Sequence, residues 1–124
     1  MEIGRLLTAM VTPMTASGDV DYDGAQRLAQ ALIEAGNDGV VVSGTTGESP
    51  TLTTAEKLRL FSEVKSAIGD RGSVIAGTSN YSTAESIELT REAASTGADG
   101  VLLVTPYYNK TTQEGLYRHF EAIA

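Results

Sequence analysis

Four consecutive βα units, together half of a (β/α)8 barrel, are what this sequence of 124 residues predicts. Three observations carry that prediction. Four short apolar runs recur along the chain: Leu6 to Val11, Val40 to Val42, Val74 to Ala76 and Val101 to Val104. They are continuous rather than alternating, which suits strands buried on both faces of a parallel sheet. Each is followed by a segment with helical apolar spacing, and the resulting unit of roughly thirty residues has the size of a βαβ module.

After the first run, Ala25, Leu28, Ala29, Leu32 and Ile33 share one helical face. Leu58, Phe61, Val64 and Ile68 do so after the second run, and Leu116, Phe120 and Ile123 after the fourth. The third helix, around Ile87 and Ala94, is less apolar but keeps the spacing. Three helix starts are marked by Thr53-x-x-Glu56, Ser82-x-x-Glu85 and Thr111-x-x-Glu114, each a capping-box pattern in which a hydroxyl takes an orphan amide and the glutamate reaches back. Helix ends fall at Gly36, Gly69 and Gly97, where a left-handed cap favours glycine. A weak repeat sets Asp38-Gly39-Val40 against Asp99-Gly100-Val101, two units apart.

Right-handed crossovers and uniformly buried strands leave two architectures, a flavodoxin-like open sheet and part of a barrel. The sequence contains neither GxGxxG nor GxxxxGK[ST], the phosphate loops an open nucleotide-binding sheet would want, and this favours the barrel. Residues 1–124 then form the half-barrel domain, whose first and fourth strands expose apolar edges. Such edges call for a partner, either further barrel units or a second copy of the chain.

Composition narrows the function. The formal net charge of −7, without a Lys/Arg cluster, argues against nucleic acid or an anionic membrane surface as partner. Zero cysteines leave no disulfide framework, and a single histidine cannot build a His-rich metal site, so no metal is expected. No apolar stretch approaches the ~20 residues of a membrane span. Leu6 to Val11 follows Arg5 as a signal peptide might, but Pro13 cuts it short and Glu2 opposes a positive leader, so it reads as a buried strand and the protein as cytoplasmic.

The chemistry concentrates after strands two and four. Residues 44–49 read GTTGES and fall at the C-terminal end of the second strand, where both architectures gather ligands. Small residues let the backbone approach a ligand closely, free amides bind an anion, and Thr45 and Thr46 add hydroxyls, so this loop is a candidate carboxylate site. The alternative is a polar turn leading into helix two. The fourth strand ends in Thr105-Pro106-Tyr107-Tyr108-Asn109-Lys110, whose neighbouring tyrosines leave in different directions, one to the site and one to an interface. A phenol passes a proton when linked through hydroxyls, with Thr45 a suitable link; the bland alternative is two packing tyrosines. His119, without a partner or ligand spacing, reads as a packing or surface residue.

GTTGES, IAGTS (Ile75 to Ser79), TPYYNK and QEGLYRHF (Gln113 to Phe120), together with LLTAMVTPM (Leu6 to Met14), resemble the dihydrodipicolinate synthases over the whole chain. Their relatives, the N-acetylneuraminate lyases and 2-keto-3-deoxygluconate aldolases, share much of the loop, but GTTGES paired with PYYNK and EGLY favours the lysine-pathway enzymes. The resemblance implies the N-terminal half of a barrel that condenses pyruvate, held as a Schiff base on a lysine, with aspartate semialdehyde, using no metal or organic cofactor and assembling as a dimer-based tetramer. It implies that Thr45 and Thr46 hold the pyruvate carboxylate, and that Thr45 and Tyr108 belong to the proton relay, Tyr108 entering a neighbouring subunit's site. Glu48 is expected to be a structural hydrogen-bond anchor.

The Schiff-base lysine of the family lies on strand six, so this chain alone is expected to be inactive. Lys57 and Lys65 are expected as solvated charges on helix two, and Lys110 lacks the buried setting an activated amine requires. The lysine-feedback site of part of the family matches Ser49, Glu85 and Tyr107, whereas Lys57 and Tyr81 stand where histidine and asparagine are common. A cationic Lys57 would repel the inhibitor's ammonium, so weak feedback is expected. Two other readings stay open: a different pyruvate-dependent aldolase or lyase of the same superfamily, and a non-catalytic, self-associating half-barrel.

Overall fold

The computed structural model describes residues 3–124. Four strands, β1 (Leu7–Ala9), β2 (Gly39–Val42), β3 (Ser73–Gly77) and β4 (Gly100–Leu102), form one sheet in the order β1-β2-β3-β4, every neighbouring pair parallel. An open flavodoxin-like sheet would have reversed its order at a switch point; strictly sequential order is that of a barrel wall. The crossovers are α1 (Tyr22–Glu34), α2 (Thr54–Ile68) and α3 (Thr83–Ala93), and α4 (Gln113–Ile123) follows β4. Sequential helices pack on one another, α1 on α2, α2 on α3 and α3 on α4. The four therefore form a single outer layer.

The core lies between that layer and one face of the sheet. Val40, Val42, Val74 and Ala76 point into it, against Ala25 and Ala29 of α1, Leu60, Phe61, Val64 and Ile68 of α2, and Leu89 and Ala93 of α3. Because alternate side chains of a strand point oppositely, Val41 and Ile75 face the other, concave side, and register sets Ala9 and Gly100 beside them. The central strands are buried along nearly their whole length, whereas β1 and β4 are not. Leu6, Val11, Val101 and Leu102 are all more than 40% exposed. These are the open apolar edges that the sequence pattern predicts.

The repeated Asp-Gly-Val has a physical basis. Asp38 donates its amide to Leu6 O (2.8 Å) and accepts Leu6 N on its carboxylate (2.9 Å); Asp99 does the same with Val74 O and Val74 N, both at 2.8 Å. Each aspartate thus clips the start of its own strand to the neighbouring strand.

Several local expectations are corrected. β1 and β4 are shorter than their apolar runs; beyond Leu102 the Ser79 hydroxyl takes over from the ladder, accepting Val104 N at 2.5 Å and donating to Val104 O at 3.2 Å. Thr53 and Glu56 form the full capping box. Ser82 caps α3, but Glu85 binds Asn80 Nδ2 instead of reaching back. α4 is capped by Thr112, one residue later than expected, because Glu114 pairs with Arg118 at i+4. The buried face of α3 is Ser86, Leu89 and Ala93, with Ala94 exposed. Asp21, which lacks a glutamate three residues on and so carries no box signal, caps α1 through Gly24 N.

Candidate functional site

The GTTGES loop leaves β2 through Ser43, whose φ of 56° lies in the left-handed region, and closes on itself through Gly47 N to Gly44 O (3.0 Å), Glu48 N to Thr45 O (3.1 Å) and Ser49 N to Gly44 O (3.3 Å). Two neighbours hold it in place. Thr12, just past β1, donates its hydroxyl to Gly47 O at 2.7 Å. On β3, Gly77 lets the Ser43 carbonyl pass so closely that a Cβ there would sit 2.2 Å from it. Among the described residues, the amides of Thr45 and Thr46 have no hydrogen-bond acceptor, so both donors remain available. Two free donors in an exposed loop at the end of a strand suit an anionic group.

A cavity of about 440 Å³ opens beside this loop. Ser43, Gly44 and Thr45 form one wall, Gly77 and Ser79 the β3 side, and Leu102 to Val104 with Tyr107 the β4 side. Thr45 thus lines the cavity, while Thr46 is exposed outside its lining. Tyr107 also lines it, and burial pushes the phenol above its ordinary value, with Tyr81 and Glu85 adding to the rise. Tyr108 goes the other way. Its φ of 69° turns it out of the cavity into full exposure, so Thr45 and Tyr108 are not brought together within this chain.

A second cavity, of about 280 Å³, adjoins the first across Pro50 and Tyr107. Glu85, Tyr107, Lys57 and Tyr81 all line it, and the two tyrosine rings meet edge to face at 5.3 Å. Ser49 lines the larger cavity instead, so the three residues matched to a feedback site fall on two sides of the shared wall.

The lysines depart from expectation. Lys57 is only 9% exposed, and burial holds its ammonium below the usual lysine range while Glu85 acts in the opposite sense. Lys65 is bound to both oxygens of Asp99 at 3.0 and 2.9 Å, at the opposite end of the sheet. Neither is a solvated surface charge, because each helix face that carries them packs inward at that position. Lys110 is exposed, and none of the three lines the larger cavity. Glu48 is also corrected: its side chain is exposed, and its part in the loop is played by its backbone, with φ 56° and a carbonyl that accepts Thr51 N and Thr51 Oγ1, both at 2.9 Å. His119 is packed between α4 and α3, its Nδ1 at 2.9 Å from Thr83 Oγ1. Among the described residues no group of His, Cys, Asp or Glu could hold a metal ion, and no helix is long and apolar enough to cross a membrane.

The model of the dihydrodipicolinate synthetase family matches residues 2–124. The chain belongs to that family. It is 65% identical over its whole length to the 4-hydroxy-tetrahydrodipicolinate synthase of Moorella thermoacetica, of which it covers 42%. It is similar to the crystal structure of DHDPS from Cyanidioschyzon merolae with lysine bound (TM-score 0.94, 50% identity, 98% of this chain and 41% of that one). The chloride-inhibited dihydrodipicolinate synthase from Acinetobacter baumannii complexed with pyruvate is equally close in fold (TM-score 0.94, 47% identity, 98% and 42% covered). The chain thus spans about two fifths of the length of these family members. Four strands in barrel order are the corresponding part of the dihydrodipicolinate synthase barrel.

Proposed function

We propose that this chain supplies the carboxylate-binding wall of a pyruvate-dependent synthase of lysine biosynthesis, which condenses pyruvate with aspartate semialdehyde to 4-hydroxy-tetrahydrodipicolinate. The observation that carries the reading is the GTTGES loop, whose unpaired Thr45 and Thr46 amides lie at the C-terminal end of β2 beside a cavity that Thr45 lines. The Acinetobacter relative is a pyruvate complex, which supports pyruvate as the substrate. Pyruvate's ketone condenses with a lysine amine, releasing water and forming an imine, while its carboxylate rests on the loop. That lysine lies outside residues 1–124, since Lys57, Lys65 and Lys110 all stand away from the cavity. Deprotonation of the imine's methyl gives the enamine that attacks the aldehyde. Thr45 and Tyr108 pass the protons, Tyr108 from a neighbouring copy, in keeping with its outward turn. The assembly is a homo-oligomer, a dimer-based tetramer working in the cytoplasm.

The test uses the full-length protein. Incubation with pyruvate and borohydride reduces the imine to a stable secondary amine, so peptide mass mapping should find the adduct on one lysine beyond residue 124. Trapping on Lys57, Lys65 or Lys110 would overturn the assignment.

Ser49, Glu85 and Tyr107 are read as part of an effector site, with lysine the expected ligand class in relatives such as the lysine-bound DHDPS. Lys57 in the same cavity makes inhibition by lysine weak. Strong inhibition of the full-length enzyme at modest lysine concentration would refute this.

A further inference from the structure

Where the β3–β4 ladder stops, a single side chain takes over. Pairing ends at Gly77 with Leu102, and the next backbone bond, Thr78 N to Leu102 O, is stretched to 3.4 Å. Continued in register, Ser79 stands opposite Val104. Its hydroxyl does what the backbone no longer does, accepting Val104 N and donating to Val104 O. Ser79 is 7% exposed and lines the larger cavity, but its one proton is committed to Val104 O, which leaves no donor for a ligand there.

Beyond Val104 such holds run out. Among the described residues, 105–111 make no hydrogen bond through backbone or side chain before Thr112 caps α4. Pro106 has no N–H to offer. Yet Tyr108 keeps a φ of 69°, a left-handed conformation that a bulky residue retains only where its surroundings impose it. The course of the segment is therefore set at its two ends, Val104 and Thr112, and by the Tyr107 ring resting on Tyr81 at 5.3 Å. Of the two ends, Thr112 belongs to a helix on the outer layer, whereas Val104 is tied to the sheet through Ser79. Ser79 lies two residues beyond Gly77, whose missing Cβ seats the Ser43 carbonyl and with it the GTTGES loop. One strand end thus registers both the anion-binding loop and the tyrosine loop.

We propose that Ser79 is a positioning residue for the proton relay, its clamp on Val104 fixing the exit of the loop so that Tyr108 projects correctly towards a neighbouring copy's site. This rests on the reading of Tyr108 as a relay tyrosine.

The experiment compares full-length wild type with Ser79→Ala, Tyr108→Phe and the double variant, each checked for folding by circular dichroism. Ser79→Ala should lower kcat at least about tenfold and leave the pyruvate KM within about twofold, since a misplaced relay group costs rate and not ground-state binding. In the Tyr108→Phe background the same substitution should cost no further rate, a non-additivity that general loosening of the fold would not give. The Val104 amide, freed of its acceptor, should exchange its hydrogen faster in Ser79→Ala, while the amides of β3 keep their protection. Unchanged kcat or unchanged exchange at Val104 overturns the proposal. So does a full further loss in the Tyr108→Phe background, which would mean that Ser79 acts elsewhere. A raised KM at unchanged kcat also overturns it and would place Ser79 on the pyruvate wall. A wild type that neither turns over nor traps pyruvate overturns the catalytic reading, and the relay role of Ser79 falls with it; exchange at Val104 tells that failure from failure of the clamp.

Discussion

Gly77 decides whether the loop and the sheet fit together. A Cβ at this position would lie 2.2 Å from Ser43 O and 2.7 Å from Ser43 C, backbone atoms that cannot rotate away. Gly77→Ala should therefore cost about 1–3 kcal/mol, the range for overpacking a tight interior, and should disturb pyruvate binding as well, because Ser43 leads directly into Thr45. Denaturant unfolding and pyruvate titration on the full-length protein check the two together. Loss of stability with unchanged pyruvate affinity would separate the packing from the site. Lys57 gives a prediction of opposite sign. Its folded-state pKa lies below the ordinary lysine value of 10.5 because burial disfavours the ammonium. The penalty is thus fully present at neutral pH and is relieved as pH rises between the folded and unfolded pKa values, where the unfolded chain binds more protons. Lys57→Met should raise the melting temperature at pH 7, with a gain that shrinks in alkaline solution. A lower melting temperature would mean that Lys57 has a partner in the assembled protein.

At the scale of elements, helix ends separate what a sequence can specify from what it cannot. Thr53 and Glu56 satisfy each other locally, with Glu56 Oε2 accepting Thr53 N at 2.7 Å and its hydroxyl at 2.8 Å, so the pattern and the structure coincide. Thr53→Ala should cost roughly 1 kcal/mol, as loss of an N-cap does, measured by thermal or urea unfolding. Before α4 two threonines stand in a row, and capping is settled by competition: Glu114 is drawn forward to Arg118 Nε at 2.8 Å, so Thr112 receives the amide of Gly115. Thr112→Ala should therefore destabilise more than Thr111→Ala. The apolar spacing located α1 and α2 because Leu28, Leu32 and Ile33, and Leu60, Phe61, Val64 and Ile68, pack on the core, whereas on α4 only Ile123 of the expected face is buried and His119 takes the other inward position. For α3 it was misled, since the inward position before Leu89 is Ser86, whose hydroxyl binds Ser82 O at 2.7 Å and Asn80 N at 2.9 Å. A polar residue satisfied by its own turn leaves no hydrophobic signal. Lys57 was hidden for a different reason: a charge on a helix reads as surface, and only the packed structure shows it buried.

At the scale of the molecule, the sheet order, the single helix layer and the position of the GTTGES loop were all legible, because short parallel units with right-handed connections leave two architectures and the missing phosphate-loop motifs favour the barrel. Which of the two neighbouring tyrosines turns outward was not legible from spacing, since it is set by the φ of 69° at Tyr108. The edges carry the remaining consequence. β1 and β4 each have one unpaired side, with Leu6, Val11, Val101 and Leu102 exposed along them, while the concave face set by Val41 and Ile75 has no opposite layer. Unpaired backbone donors and acceptors beside exposed apolar side chains favour strand addition. Residues 1–124 prepared alone should therefore sediment as dimers or larger species at micromolar concentration. Addition of the complementary barrel units should compete with that self-association, because both bury the same edges, and should restore pyruvate trapping on the added segment. Replacing Leu102 by lysine, which blunts the β4 edge with a charge, should shift sedimentation towards monomer. A wild-type monomer with a cooperative melt would show that these edges are satisfied within the chain and that β1 and β4 need no partner.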